Sequence, residues 1–330
     1  ILVGSFLFVF PTGSFSTSAQ PSVTLPRVIR IFDNDDLGLS DPAGLAFSTR
    51  NNLFHVVETE SLPPPLTNNS DVVMVAPYAE RMGASRLATT IHDPTNVAFD
   101  NYHHRILVLK ANADILIEIE EDDEGYLNSA TLVQHDIRKF GLQNPQGITI
   151  DPANGHLFIL DATGPRLVRV EPDAAGDFTN SEITQVDLQT TGLIAPQSLA
   201  YDPASNNLFV LDPPVQQLVE LSITGQVVSS RSFVDFTLGD QQSMAFAPTS
   251  DVTDDPANLR LFIMATNSPT LDSPPDNDRT SGQLVEISLL PQPNLVDGIP
   301  IDPVTLVNVT QTSDYSPPSP DPSGGAYFSG

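Results

Sequence analysis

The chain alternates between short apolar runs and polar turns, and the alternation repeats. Five segments share one pattern: DPAGLAFSTRNNLFHVVE from Asp41, DPTNVAFDNYHHRILVLK from Asp93, NPQGITIDPANGHLFILD from Asn144, APQSLAYDPASNNLFVLD from Ala195, and DQQSMAFAP from Asp240, the last continued by NLRLFIMAT. A further start, DPSGGAYFSG, begins at Asp321. The starts recur about every 50 residues, the signature of stacked structural repeats. The longer interval between Asp240 and Asp321 holds Pro/Asp/Ser-rich insertions and reads as one swollen repeat.

Each repeat predicts four antiparallel strands. The first is short and nearly all apolar or small (GLAF, NVAF, GITI, SLAY, SMAF). A turn of Asp, Asn, Pro and Gly follows, as a hairpin requires. A second apolar strand comes next, then a third that alternates apolar and polar residues (ADILIEIE, RLVRVEP, QLVELS, QLVEIS), as a half-buried strand should. A looser fourth strand ends the unit. Thirty prolines punctuate the intervals, and no amphipathic helix is evident. Four strands per repeat predict an all-β propeller of four-stranded blades.

The repeats resemble those of NHL and related six-bladed propellers. Asn144–Asp161 together with Arg166–Val170 (RLVRV) carries the resemblance best, and it extends over residues 23–328. These motifs specify a blade rather than a chemistry. The chain has no Trp and no Tyr-Trp-Thr-Asp tetrapeptide, so WD40 and low-density-lipoprotein-receptor propellers fit less well. The resemblance implies six blades in one domain over residues 1–330. VTLPRVIRIFD, ahead of Asp41, and VTLVNVTQTSD, ahead of Asp321, both read as a fourth strand leading into a new first strand. Five complete blades plus one composite blade, joined from the two termini, make six. Closure of this kind removes sheet edges.

Charge narrows the partners. Forty-one acids against fourteen bases give −27, which disfavours nucleic acid and anionic membrane and favours cations such as Ca²⁺. Three loops resemble loose Ca²⁺ loops: Asp33, Asp35 and Asp36 before Gly38; Glu120 to Gly125; and Asp276, Asp278 and Thr280 before Gly282. None has the full EF-hand spacing, and a solvated acidic turn is the competing reading. Asp41, Asp93, Asn144, Asp240 and Asp321 hold one repeat position, before strand one, which is expected near the channel mouth. A cation-holding ring is one reading of them and a turn-capping residue the other. His103 and His104, with Asp100, occupy a turn between strands, where adjacent histidines point apart.

No G-x-S-x-G, S-x-x-K, H-E-x-x-H or P-loop occurs. Ca²⁺-dependent lactonases share the six-bladed fold and ligate metal through a Glu-Gly-Pro segment at the first strand; Ser40-Asp41-Pro42-Ala43-Gly44 stands there in this chain. The expected function is therefore a non-catalytic extracellular structural or interaction propeller (a surface, matrix or filament subunit), Ca²⁺-stabilised. The alternative is a Ca²⁺-dependent lactonase or esterase acting at the channel.

Cysteine is absent, which fits either redox compartment. Asn68 and Asn308 sit in glycosylation sequons. No segment is long enough to span a bilayer as a helix. Residues 1–31 contain no acid, and residues 1–10 are continuously apolar. Three readings of residues 1–22 stand: a buried strand, a strand donated to a neighbouring copy, and a secretory remnant cleaved near Ser16–Ala19.

Overall fold

The computed structural model describes residues 27–39, 42–58, 72–85, 94–110, 115–122, 125–233, 240–266, 283–289, 295–296 and 299–300. By internal contacts the chain falls into two units, 1–290 and 291–330. In the second, Leu295–Val296 pairs antiparallel with Ile299–Pro300.

The first unit holds five four-stranded antiparallel sheets. Blade 1 is β2 (Pro42–Ser48), β3 (Leu53–Glu58), β4 (Val72–Val75) and β5 (Arg81–Ser85). Blade 2 is β6 (Pro94–Asp100), β7 (Arg105–Lys110), β8 (Ile115–Glu120) and β9 (Val133–Asp136). Blade 3 is β10 (Pro145–Ile150), β11 (Leu157–Asp161), β12 (Arg166–Glu171) and β13 (Glu182–Asp187). Blade 4 is β14 (Ser198–Asp202), β15 (Asn207–Asp212), β16 (Gln217–Ser222) and β17 (Val227–Ser232). Blade 5 takes β18 (Asp240–Pro248), β19 (Leu259–Thr266) and β20 (Gln283–Ser288) from late in the sequence, and β1 (Arg27–Asp33) from early in it.

The first strands of the five blades pack side by side in a closed ring, β18 returning to β2. The propeller is therefore five-bladed, which corrects the expected six. Among the described residues the fifth repeat supplies three strands to its sheet. RVIRIFD is a fourth strand, as its pattern suggests, but it completes this fifth repeat by pairing with β20 from Arg27↔Ser288 to Asp33↔Gln283. No sixth sheet is required to close the ring. The start at Asp321 and the run at residues 1–10 lie outside the described residues.

The apolar runs in second strands are explained by burial on both faces. Along β11, Leu157 and Ile159 enter the core against blade 2, while Phe158 and Leu160 enter the core against blade 4. Each of the five interblade junctions has one such core. First strands add a size rule. Their large residues (Leu45 and Phe47, Val97 and Phe99) face the preceding blade, and the small residue between them faces the following one. Ala46 thus meets Phe99, and Ala98 meets Ile150. The recurring apolar-Ala-aromatic triplet is large-into-small packing around the ring.

Among the described residues no helix is long and apolar enough to cross a membrane.

Candidate functional site: the axial channel and its mouth

The channel is shaped by a β-bulge repeated in four blades. Pairing slips between Pro42 and Gly44, Pro94 and Asn96, Pro145 and Gly147, and Gln241 and Ser243. A bulge bends its strand and re-aims the next side chain. The residues so placed, Gly44, Asn96, Gly147 and Ser243, with Ser198 of blade 4, form the waist of the ring.

Asn96 closes that waist. It is 1% exposed. Its Nδ2 donates to the Gln146 carbonyl at 3.1 Å, and its Oδ1 accepts from Val97 N at 2.8 Å and from Ser243 Oγ at 2.9 Å. Blades 2 and 5 are not neighbours in the ring, so the Asn96–Ser243 bond crosses the channel. Blade 1, between them, contributes Gly44, and a Cβ there would stand 2.7 Å from Val97 Cγ1 and 2.9 Å from Val97 N. Glycine is needed at this point for close approach.

Beyond the waist, at the end where first strands run into second strands, a cavity of about 100 Å³ opens. Phe47, Phe99, Ile150, Tyr201 and Phe246, one from each blade, line it at one level. Ala46, Ala98, Thr149, Ala200 and Ala245 line it at the level below. Its polar atoms stitch blades together: Asn101 Oδ1 accepts from Thr49 N and Oγ at 2.7 and 2.8 Å, and Thr149 Oγ accepts from Tyr201 N at 3.1 Å. The Tyr201 hydroxyl donates to Asn206 Oδ1 at 3.0 Å. Burial, reinforced by the negative charges of Asp151 and Asp202, pushes the Tyr201 phenol up to about 12, so it stays neutral.

A second concentration of charge lies between blades 2 and 3. Arg105, 5% exposed, donates from Nε to Asp100 at 3.0 Å, from Nη2 to the Gly176 carbonyl at 2.7 Å, and pairs with Glu118 at 3.0 Å. Its guanidinium lies 5.0 Å from the Phe178 ring centre. Glu118 also meets His135 Nε2 at 2.6 Å, and His135 Nδ1 stands 4.0 Å from Asp177. Burial would raise the Glu118 carboxyl, but His135 and Arg105 outweigh it and hold it below the ordinary glutamate value. Lys139 Nζ meanwhile donates to the carbonyls of Phe178 and Thr179 at 2.5 and 2.8 Å. The network clamps the β12–β13 loop of blade 3 onto blade 2.

The residues singled out from sequence are placed as follows. Asn144 is exposed, and its amide donates to the Asp161 carboxylate at 3.0 Å. Asp240 begins β18. Both stand at the entry end of the first strands, opposite the cavity. Asp41, Asp93, Asp321, Asp276, Asp278 and Thr280 lie outside the described residues. Asp33 ends β1, Asp35 lies in the single helical turn α1 (Asn34–Leu37), and Asp36 is exposed. Among the described residues no three His, Asp or Glu side chains converge to hold a metal. In the loop after Glu120, Glu121 turns inward to accept from Asn51 Nδ2 at 2.7 Å, and Asp122 caps the Tyr126 amide at 2.8 Å. His103 bonds Asp100 at 2.7 Å, while His104 is exposed with φ of 56°.

Sequence reading missed Asn96 and Ser243. Their signal was present: they vary within an otherwise uniform repeat, at the position Gly44 and Gly147 share. It also missed Asp161 and Asp212, fully buried at the ends of second strands. Asp212 accepts from the amides of Ile194 and Ala195 at 2.5 and 3.2 Å, and Asp161 from Gln143 and Asn144 at 2.8 and 3.0 Å. These carboxylates pin the segments that enter blades 3 and 4, a structural duty.

No family model matches the chain, and no curated protein matches it. Solved structures do. The chain is similar to a nidogen/laminin complex at 18% identity, covering 68% of this chain and 74% of that one, with a TM-score of 0.42. It is similar to virginiamycin B lyase from Staphylococcus aureus at 13% identity, over 71% and 67%, with a TM-score of 0.39. An auxiliary nutrient binding protein from Bacteroides thetaiotaomicron is 10% identical over 76% and 60%, with a TM-score of 0.44. What the chain is follows from its own strands, a β-propeller of four-stranded antiparallel blades.

Proposed function

We propose that this chain is a non-catalytic interaction propeller of the NHL-like kind, acting outside the cytosol and engaging its partner at the channel mouth. One observation carries the reading. The channel is closed at its waist by Asn96 and Ser243, and the mouth above it is lined by equivalent, mostly apolar residues from all five blades. A hydrolase working at the axis needs an asymmetric cluster of Asp, Asn, Glu or His with atoms directed into the cavity. Among the described lining residues there is no carboxylate and no imidazole, and the one asparagine, Asn101, is committed to Thr49 and to the Phe47 carbonyl. Acid-rich loops and a charge of −27 support Ca²⁺ as a stabiliser bound at the periphery.

Turnover tests the reading against the lactonase alternative. The whole chain, with CaCl2, is offered γ-butyrolactone and p-nitrophenyl acetate. Hydrolysis no faster than the Asp41→Asn variant supports an interaction role; calcium-dependent turnover lost in that variant overturns it. Melting in CaCl2 and in chelator at matched ionic strength tests the metal, and equal midpoints refute it. Self-association through the apolar run 1–10 is tested by sedimentation of the chain with and without those residues.

A further inference from the structure

We infer that the channel mouth is a receptor for an alkylated ammonium group, a small organic cation of the trimethylammonium type. The inference rests on the interaction reading above and names its ligand. Four of the five residues at the upper level of the cavity are aromatic: Phe47, Phe99, Tyr201 and Phe246. The level below is Ala or Thr in every blade; the rings pack outward on second-strand rings, Phe47 on Phe54, Phe99 on His55, Tyr201 on Phe158 and Phe246 on Phe209, and their inner sides border the cavity. The space, about 100 Å³, is room for roughly three waters by volume or for one trimethylammonium head.

Three properties select a cation over a neutral apolar group. Aromatic rings attract cations through their quadrupole, most strongly where water is excluded. Among the described lining residues there is no base; Asn101 and Thr149 bond neighbouring blades, and the Tyr201 hydroxyl donates to Asn206 of its own blade. A primary ammonium demands several acceptors, and the wall offers it only the residual lone pairs of the Thr49, Thr149 and Tyr201 hydroxyls, whereas a fully alkylated one needs none. Finally, the surrounding turns are acidic. Asp151 and Asp202 directly precede the lining residues Pro152 and Pro203, and Asp251, Asp254 and Asp255 are exposed on the turn before the lining residue Leu259. The bases in the same turns are Arg50 and three histidines, His103, His104 and His156.

The experiment is calorimetric titration of the whole chain with choline and, separately, with 3,3-dimethylbutan-1-ol, its uncharged isostere. Choline should bind at least tenfold more tightly than the isostere. Phe246→Leu and Phe99→Leu keep an apolar wall but remove the quadrupole, and each should weaken choline at least fivefold while leaving the isostere within twofold. Melting curves of both variants establish that they are folded, and Ile223→Leu, on the β16–β17 turn and not among the cavity's lining residues, should change nothing. Equal binding of choline and isostere overturns the cation and leaves an apolar docking site, so the interaction reading stands. Binding of neither, or choline binding indifferent to both Phe substitutions, overturns the inference. Lactone turnover, measured in parallel, is what overturns the interaction reading itself.

Discussion

Substituting Asn96 by Ala tests whether the waist holds the ring together. The amide group's bonds inside the protein include Nδ2 to the Gln146 carbonyl at 3.1 Å, Oδ1 from Val97 N at 2.8 Å, and Oδ1 from Ser243 Oγ at 2.9 Å. Ser243 keeps a second acceptor, the Leu45 carbonyl at 3.3 Å. The bulge at Pro94/Asn96 is where Val97 N turns to a side-chain acceptor. Alanine therefore strands one donor and one acceptor and weakens a third bond. Each stranded buried group costs about 1–3 kcal/mol. Water entering the vacated space at the axis lowers that toward the bottom of the range, so a loss of about 2–4 kcal/mol is expected. Asn96→Asp should be worse at neutral pH, because the carboxylate cannot donate to Gln146 and is charged in a dry site. Its folded pKa lies above the unfolded value near 4, so the penalty grows as pH rises from there and fades below it. Urea unfolding followed by far-ultraviolet circular dichroism at pH 7 and pH 4 reads both effects. An N96A loss below about 0.5 kcal/mol, or an N96D penalty that does not shrink at pH 4, would show that the waist is wet and that the channel is not closed there.

Other substitutions probe the blade junctions. Arg105→Met removes the cation shared by buried Asp100 and Glu118, and breaking one side of such a cluster costs about 3–5 kcal/mol. Because Glu118 sits below its ordinary value in the native state, its contribution is full above pH 4.5 and drains as pH falls through the lower folded value; the wild type should lose more stability than R105M between pH 5 and pH 3. His55→Phe should stabilise by about 1–2 kcal/mol in urea melts: His55 is fully buried, both ring nitrogens lack a hydrogen-bond partner, and the matching positions in blades 3, 4 and 5 are Phe158, Phe209 and Phe262. A destabilised H55F would show that its contact with Glu121 at 3.7 Å is a favourable ion pair. Gly147→Ala should cost roughly 2 kcal/mol or more, since the new Cβ would lie 2.7 Å from the backbone nitrogen of Leu199 and only a shift of blade 4 relieves it; an unchanged midpoint would refute the close approach.

The sequence by itself determined the blade. Doubly apolar second strands and Asp-Pro-Ala turns read correctly because the equivalent position of every repeat meets the same kind of surroundings. Asp151 and Asp202, for example, accept from the amides two residues on, at 2.9 and 3.0 Å, as their spacing implies. The alternating third strands are not half-buried in blades 4 and 5, where the polar positions Glu220 and Glu286 are buried at 8% and 0% exposure. Tertiary structure alone decided the number of blades. Ring closure depends on which strand pairs with β20, across more than 240 residues of chain, and nothing in RVIRIFD distinguishes completing a fifth sheet from beginning a sixth. The site was hidden for a similar reason. Acidic residues attract notice in a chain of −27, yet the two fully buried ones that end second strands, Asp161 and Asp212, secure entering loops. The aromatic mouth and its Asn96 closure arise only when five distant residues of one repeat position are brought around a common axis. A repeat shows which position that is; the curvature of the closed ring decides how near the five stand.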